Sequence, residues 1–204
     1  MALATLVIGI AACGGDQGDT SLVDLKERLP AAKVHGLESE RGFEWDKATD
    51  FVAQGVFYSE GTKPSELIGA IDDAGFNGGV GAVFSDPKRQ SHLWVMAAEF
   101  DSDEGALKAR ERLHAEDLKQ PYFAGCAVTP QEYEIEGIPD SDAVHAVPME
   151  GKPPPGLFKS ETYLLEFTVG PQLYIAAVDG PPGYTSDEEF DEMANAVYEQ
   201  ATAG

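Results

Sequence analysis

The sequence predicts an α+β domain in which a mostly antiparallel sheet of hairpins carries three main helices. Residues 78–84 and 92–100 are largely apolar and flank a polar, proline-containing loop at residues 85–91, as in two paired strands. Apolar and polar residues alternate through most of residues 162–169, and a Gly170-Pro171 turn leads into a second strand-like segment at residues 172–178. Adjacent hairpins pair antiparallel, and a helical pattern follows each one, so we expect helices on one face of the sheet or on both.

A hairpin followed by a helix occurs twice, at about residues 79–118 and again at about residues 161–201. This repetition indicates two related halves, although the unit is common enough to recur by coincidence. Both interpretations predict the same antiparallel sheet.

The three main helices are indicated by their end residues and apolar stripes. The first occupies residues 64–74, with proline in its first turn and glycine directly after it. The second is capped by Asp101 and runs to about Lys119. The third follows a capping box of Ser186 and Glu189, and its apolar stripe comprises Phe190, Met193, Ala194, Val197 and Ala201.

Four shorter elements complete the predicted fold. Residues 21–29 form a short helix that ends at a proline, and residues 51–58 form a strand. Residues 132–137 alternate between glutamate and other residues, which predicts a half-exposed strand with its acids facing water. Residues 143–147 follow a Pro-Asp-Ser-Asp turn and are its expected partner.

Length and charge restrict the class of protein. The chain has 204 residues, enough for one domain with a substantial core, and 43% of them are hydrophobic. It carries 36 acidic and 14 basic residues, a net charge of −22. A surface this acidic repels phosphate backbones and anionic headgroups, so the composition argues against nucleic-acid binding.

The N-terminus carries the most specific motif in the sequence. Residues 2–12 are uncharged and largely apolar, but they are too few for a membrane span of about 20 residues. They are typical of the apolar part of a signal peptide, and they end in small residues before a cysteine. The tetrapeptide Ile10-Ala11-Ala12-Cys13 resembles the lipobox of bacterial lipoproteins.

This resemblance implies cleavage between Ala12 and Cys13 and a diacylglyceryl thioether on Cys13. Residues 1–12 are then a signal peptide, and residues 13–42 are a lipidated tether with a possible short helix. The glycine-rich run Gly14–Asp19 stands near the start of this tether. Residues 43–204 form a single globular domain. The mature protein is expected at the outer face of a cell membrane, held there by its lipid.

One feature departs from the lipoprotein pattern. Lysine and arginine are both absent before the apolar run, whereas signal peptides begin with a basic stretch. A start codon assigned too far downstream would explain the difference. The alternative is a buried N-terminal strand that ends in Cys13.

The whole layout resembles small secreted lipoproteins of high-GC Gram-positive bacteria, some of which have a PsbP-like sandwich of an antiparallel sheet between helices. Three features carry this resemblance: the lipobox, the glycine-rich tether and the Asp-Gly-Pro-Pro-Gly loop at residues 179–183. The resemblance implies a fold and a location, and it assigns no functional residue.

The sequence contains no motif that predicts a catalytic residue, a metal or a cofactor. Asp101, Asp103 and Glu104 could form a calcium corner, but the EF-hand spacing fails and helix capping explains them. Cys126 lies in an apolar run, as core cysteines do. The histidines lack paired ligand spacing: His35, His92, His114 and His145.

The first functional hypothesis is a membrane-tethered, non-catalytic domain that binds an amphiphile or an envelope protein partner. A cavity would favour the amphiphile, and an exposed apolar patch would favour the protein. The alternatives are an extracytoplasmic hydrolase with two buried carboxylates facing each other in a cleft, or a structural or regulatory envelope protein. Six aromatic residues could line a cavity, although such residues more often form core: Trp45, Trp94, Phe84, Phe100, Tyr163 and Phe167.

Overall fold

The computed structural model describes residues 18–30, 33–34, 36–55, 63–86, 91–119, 122–123, 126–148 and 160–203. Five helices lie in these ranges: α1 (Gly18–Glu27), α2 (Ala48–Gly55), α3 (Pro64–Asp73), α4 (Asp103–Asp117) and α5 (Asp187–Thr202). The same ranges contain nine strands: β1 (Lys33–Val34), β2 (Leu37–Trp45), β3 (Phe76–Asp86), β4 (Ser91–Phe100), β5 (Tyr122–Phe123), β6 (Cys126–Tyr133), β7 (Ser141–Pro148), β8 (Glu161–Val169) and β9 (Gln172–Gly180).

The strands form an antiparallel sheet in the order β1-β2-β3-β4-β9-β8-β7-β6-β5. Seven strands are long, and the two strands at the ends of this order have two residues each. The predicted hairpins are β3–β4 and β8–β9, and they meet at the centre of the sheet where β4 pairs with β9. The predicted α+β class with a mostly antiparallel sheet is confirmed.

Helices cover both faces of the sheet. Helices α1 and α5 pack on one face, which we call the α1/α5 face, and helices α2, α3 and α4 pack on the other, the α4 face. Along β9, Tyr174 and Ala176 point to the first core while Leu173 and Ile175 point to the second, so the strand is buried on both sides. The helices of the two hairpin units, α4 and α5, therefore lie on opposite faces.

The prediction of a strand at residues 51–58 is wrong. Residues 48–55 form α2, and residues 56–58 lie outside the described part of the chain. Ala48, Phe51 and Val52 are each at most 1% exposed. Their spacing of three and four residues places them on one side of a helix, and this outweighs the strand propensity of the aromatic and β-branched residues.

The folded domain begins before the predicted boundary at residue 43. Helix α1 packs against β3 and β4, and Leu25 is fully buried. Strand β2 starts at Leu37 and pairs with β3 along most of its length. Burial of Leu25 and Leu29 at helical spacing docks the short helix on the sheet, so part of the predicted tether belongs to the domain.

Two of three predicted element ends differ from the structure, and the third agrees with it. Ser102, rather than Asp101, is the N-cap of α4, since its hydroxyl accepts from the backbone N–H of Gly105. The capping box of Ser186 and Glu189 at α5 is confirmed. Strand β6 ends at Tyr133, so the predicted strand at 132–137 is largely wrong, although its three glutamates are exposed as expected.

Among the helices that the structure describes, none is long and apolar enough to cross a membrane.

Candidate functional site

A groove of about 610 Å³ lies between α1 and strands β2 and β3, and we call it the α1–β2 groove. Helix α1 covers β3 and β4 but leaves part of β2 open beside it. The lining residues come from three segments: Lys26, Leu29 and Pro30; Ser39, Gly42, Phe43 and Glu44; and Val80, Gly81 and Ala82. The groove is thus built from segments that are far apart in the sequence.

Small residues give the groove its depth. Gly42 on β2 lies directly opposite Ala82 on β3, so neither strand places a large side chain at this point. The register of β2 also shifts between Ser39 and Arg41, where a bulge bends an edge strand. A Cβ atom added at Gly42 would lie 3.5 Å from the carbonyl oxygen of Gly81, an ordinary contact. The groove is therefore open at this point because residue 42 has no side chain. The backbone itself would accept a larger residue there.

Charges of both signs stand at the rim of the groove. Lys26 Nζ of α1 lies 2.9 Å from Glu44 Oε1 of β2, and both side chains are mostly exposed. An exposed ion pair contributes only about 0–1 kcal/mol, so a polar ligand group can replace either partner at small cost. The volume lies in the usual range for small-molecule sites, about 300–1,000 Å³. This arrangement suits a molecule with an apolar part and a polar or charged end.

A second site lies beneath α4, where charged side chains are buried against the sheet. The inward side of α4 carries the apolar residues Ala106, Ala109 and Leu113. Arg110 and Asp117 recur at the same helical spacing and are also buried. We call these residues and their partners on β7 and β8 the α4 charge cluster: Arg110, His114, Glu116, Asp117, Asp142 and Glu166.

Within the α4 charge cluster, Arg110 and Asp142 are in close contact, whereas His114 and Glu166 are not. Arg110 Nε lies 3.0 Å from Asp142 Oδ2, and the same guanidinium donates to the carbonyl of Asp140. Asp142 on β7 stands directly opposite Glu166 on β8. His114 Nδ1 is 3.9 Å from Glu166 Oε2, which is too long for a hydrogen bond.

Four buried polar atoms of this region make no hydrogen bond within the described residues. They are Arg110 Nε, His114 Nδ1, Glu166 Oε2 and Thr162 Oγ1, although Arg110 Nε lies within ion-pair distance of Asp142 Oδ2. Glu166 is 1% exposed and Thr162 is 1% exposed. Buried polar groups are nearly always paired, since an unpaired one costs about 1–3 kcal/mol. The sheet side of this cluster is therefore an unfavourable place for a charge.

Two carboxyl groups of the cluster, those of Glu166 and Asp117, resist ionisation. Burial raises the pKa of Glu166 well above its usual range, the carboxylates of Asp117 and Asp142 raise it further, and Arg110 opposes them. Burial also raises the pKa of Asp117, and neighbouring Glu116 adds to the effect. Two interacting acids that hold their protons unusually well are thus buried where α4 meets the sheet, Asp117 on the helix and Glu166 on β8.

The sequence prediction missed this cluster for a physical reason. Glu166 alternates with Leu165 and Phe167, which suggests a strand with one face in water. Both faces of β8 are covered, so the polar face is buried as well. The available signal was Leu164-Leu165, two adjacent leucines that point to opposite faces, and both are buried.

The acids considered for a calcium corner, and attributed to helix capping instead, make surface contacts at the start of α4. Asp101 accepts a hydrogen bond from Asn77, and Asp103 and Glu104 occupy the exposed first turn of α4. Glu104 lies 2.6 Å from Lys108 Nζ, and this contact lowers the pKa of Glu104. Within the ranges that the structure covers, no group of three or more ligand side chains could hold a metal ion.

The structure separates the histidines. His92 lies 3.5 Å from Asp179, His114 faces Glu166, and His145 Nε2 lies 2.8 Å from Glu161 Oε1. His35 lies outside the described residues, as do Ala12 and Cys13, so the cleavage and lipidation predictions remain predictions. Cys126 is the first residue of β6.

The six aromatic residues do not surround one cavity. Phe84, Tyr163 and Phe167 belong to the core of the α1/α5 face. Trp45 and Phe100 belong to the core of the α4 face, and Trp94 packs against it. The interpretation as core is confirmed.

No protein-family model matches the chain, and no curated protein is significantly similar to it. Two solved structures share a comparable arrangement of the chain. One is the extracellular domain of PknH from Mycobacterium tuberculosis, with 10% identity and a TM-score of 0.49 over 82% of this chain and 86% of that one. The other is a putative uncharacterized protein, the Rv0999 ortholog, from Mycobacterium smegmatis, with 14% identity and a TM-score of 0.43 over 88% and 94%. At these values, nothing about the activity, location or partners of this chain follows from the likeness.

Proposed function

We propose that this chain is a membrane-anchored extracytoplasmic lipoprotein whose domain binds an amphiphile in the α1–β2 groove and catalyses no reaction. The observation that carries the proposal is the groove itself, with small residues at its floor and a Lys26–Glu44 pair at its rim. An acyl or other apolar chain would lie over Gly42 and Ala82, and its polar end would meet the ion pair.

The position of the groove in the chain supports a ligand taken from the membrane. Residues 14–17 separate Cys13 from the first residue of α1. Even a fully extended chain spans at most about 3.6 Å per residue, so a lipid on Cys13 would keep the start of α1 within about 18 Å of the anchor point. Lys26 stands further along the same helix. A membrane amphiphile would therefore have only a short path to the groove.

The described surface offers less support for a protein partner. Leu107 is the only large hydrophobic residue that is exposed in this part of the chain, at 38%. Interfaces with proteins usually need a contiguous apolar patch of several hundred Å². One half-exposed leucine does not supply such a patch.

The hydrolase alternative requires buried acids that a substrate can reach, and only the first condition is met. Glu166 and Asp117 are buried acids with raised pKa values, as a general acid would need. They are 1% and 4% exposed, however, because they lie between α4 and the sheet. A substrate has no access to carboxylates in that position, so the observations favour binding over catalysis.

The proposal is tested by titrating the full-length protein with dansyl-labelled undecanoic acid and following dansyl fluorescence. We expect saturable binding that Gly42→Leu weakens by about tenfold or more, because the leucine would occupy the floor of the groove. Gly69→Leu is the matched control, since a Cβ at Gly69 in α3 meets no atom within 4 Å. Absence of binding to the unaltered protein, or equal binding by both variants, would contradict the proposal.

A further inference from the structure

The α4 charge cluster combines titratable groups from α4, β7 and β8. Helix α4 contributes side chains of both charges, β7 contributes Asp142, and β8 contributes Glu166. The facing residue on β9 is Ile175, which is apolar. The charged or titratable groups of α4 at this interface are Arg110, Arg112, His114, Glu116 and Asp117.

The basic groups of the cluster are already engaged by other acids. Arg110 pairs with Asp142. Arg112 contacts Glu116, and Lys119 Nζ lies 3.3 Å from the same carboxylate. His114 Nδ1 lies 3.9 Å from Glu166 Oε2, and this oxygen accepts no hydrogen bond from the described residues. A negative charge on Glu166 would therefore be poorly compensated.

We propose that the docking of α4 on β7 and β8 is controlled by the proton on Glu166, so that the helix is held while this carboxyl is neutral and loosens when it ionises. The neutral carboxyl lies beside Asp142 and under α4 without a large desolvation cost. The ionised form adds a second negative charge directly across from Asp142, at a buried position where solvent screens charges weakly.

The direction of the response follows from burial. Because burial raises the pKa of Glu166, the proton is retained in mild acid and lost as the pH rises. Loosening of α4 would uncover its apolar stripe and the sheet residues beneath it, among them Val144 and Leu164, which are 1% and 2% exposed when the helix is docked. Rising pH thus releases α4 from the sheet and exposes the apolar surface that the docked helix covers. This device does not depend on the α1–β2 groove, which lies on the other face of the sheet.

The test is amide hydrogen exchange of the full chain at pH 5 and pH 9, expressed as protection factors so that the intrinsic effect of pH on exchange is removed. Protection in α4 should fall by about tenfold for each unit by which the pKa of Glu166 is raised, while protection in α5 changes much less. Glu166→Gln carries an uncharged group of the same shape and should keep α4 protected at both pH values.

Glu136→Gln is the matched control, since Glu136 is exposed and lies outside the cluster. It should behave like the unaltered protein. Equal loss of protection in Glu166→Gln and the unaltered protein would overturn the proposal, as would α4 protection that does not change with pH. If Glu166→Gln fails to fold, the carboxyl ¹³C shift of Glu166 in the unaltered protein decides the matter: titration in the ordinary range of a glutamate, near pH 4, would overturn it.

Discussion

Asp142 and Glu166 stand directly opposite each other on neighbouring strands, beneath the same helix, and only Asp142 has an arginine as its partner. Like charges in facing positions of a sheet are destabilising, so such a pair persists only when one charge is compensated or absent. Arg110 compensates Asp142, and the raised pKa of Glu166 keeps its carboxyl neutral over a wider range of pH.

Replacement of Arg110 by methionine should destabilise the domain by about 3 kcal/mol. Removing one partner from a largely buried ion pair leaves the other charge uncompensated, and here Asp142 would also lie opposite Glu166. Urea unfolding at neutral pH measures the change in the free energy of unfolding. Lys108→Met removes the exposed pair with Glu104 and should cost less than about 1 kcal/mol. Equal effects of the two substitutions would refute the structural role given to Arg110.

The free energy of unfolding should decrease as the pH rises above the ordinary range of an aspartate. A raised pKa in the folded state means that the stabilising contribution is complete below the unfolded value, near 4, and is lost as the pH passes through the folded value. Each pKa unit corresponds to about 1.4 kcal/mol. Asp117→Asn should flatten this dependence in urea unfolding measured from pH 4 to 9.

The net charge of −22 also lowers stability as the pH rises, because more acids ionise and repel one another. Asp72→Asn controls for this effect, since Asp72 is exposed on α3 and removes the same single charge. Profiles of the same slope for Asp117→Asn and Asp72→Asn would show that Asp117 has no special part in the pH dependence.

Substitution of Gly81 by alanine should destabilise the domain by about 1–3 kcal/mol. The ring of Trp45 lies so close to β3 that a Cβ at Gly81 would be 2.7 Å from its Cη2 atom, and overpacking of this kind displaces the surrounding core. In contrast, Gly69→Ala in α3 has free space and should stabilise by about 0.5–1 kcal/mol. Thermal unfolding compares the two alanines, and a higher Tm for Gly81→Ala than for Gly69→Ala would disprove this packing.

Substitution of Cys13 by serine should release the protein from the membrane fraction of its native cells. The lipobox resemblance places the lipid on this sulfur, and each buried CH₂ of the lipid contributes about 0.8 kcal/mol to anchoring. Fractionation followed by immunoblotting measures the distribution. Because the second cysteine is Cys126, its replacement by serine is the control and should leave the protein in the membrane fraction. Retention of the Cys13 variant in the membrane would reject the anchor.

Much of the fold could be predicted because local patterns agree with it. Turn or loop residues separate the strand segments of both hairpins, and the stripe of α5 from Phe190 to Ala201 recurs at helical spacing. The strand predicted over Phe51 failed because a short apolar run satisfies both periods, and the packing of Phe51 against Trp45 favours the helix. Strand order, such as the β4–β9 pairing, depends on contacts between distant residues that no local pattern encodes.

The candidate sites could not be predicted, because each is assembled across the sheet. Lys26 and Glu44 meet at the rim of the groove only after α1 docks beside β2. Arg110 reaches Asp142 because α4 crosses from β4 to the far half of the sheet, above β7 and β8. The identity of each residue is visible in the sequence, but burial and proximity depend on the tertiary fold.

The most direct test of the central claim is native mass spectrometry of the full protein, purified from its own membrane in a mild detergent and compared with its denatured mass. A covalent lipid on Cys13 contributes to both masses, so only a ligand held without a covalent bond changes the difference. We predict a reproducible excess in the native mass, in the range of a membrane amphiphile, that is lost in Gly42→Leu and retained in Gly69→Leu. Equal native and denatured masses for the unaltered protein would contradict the proposed binding function.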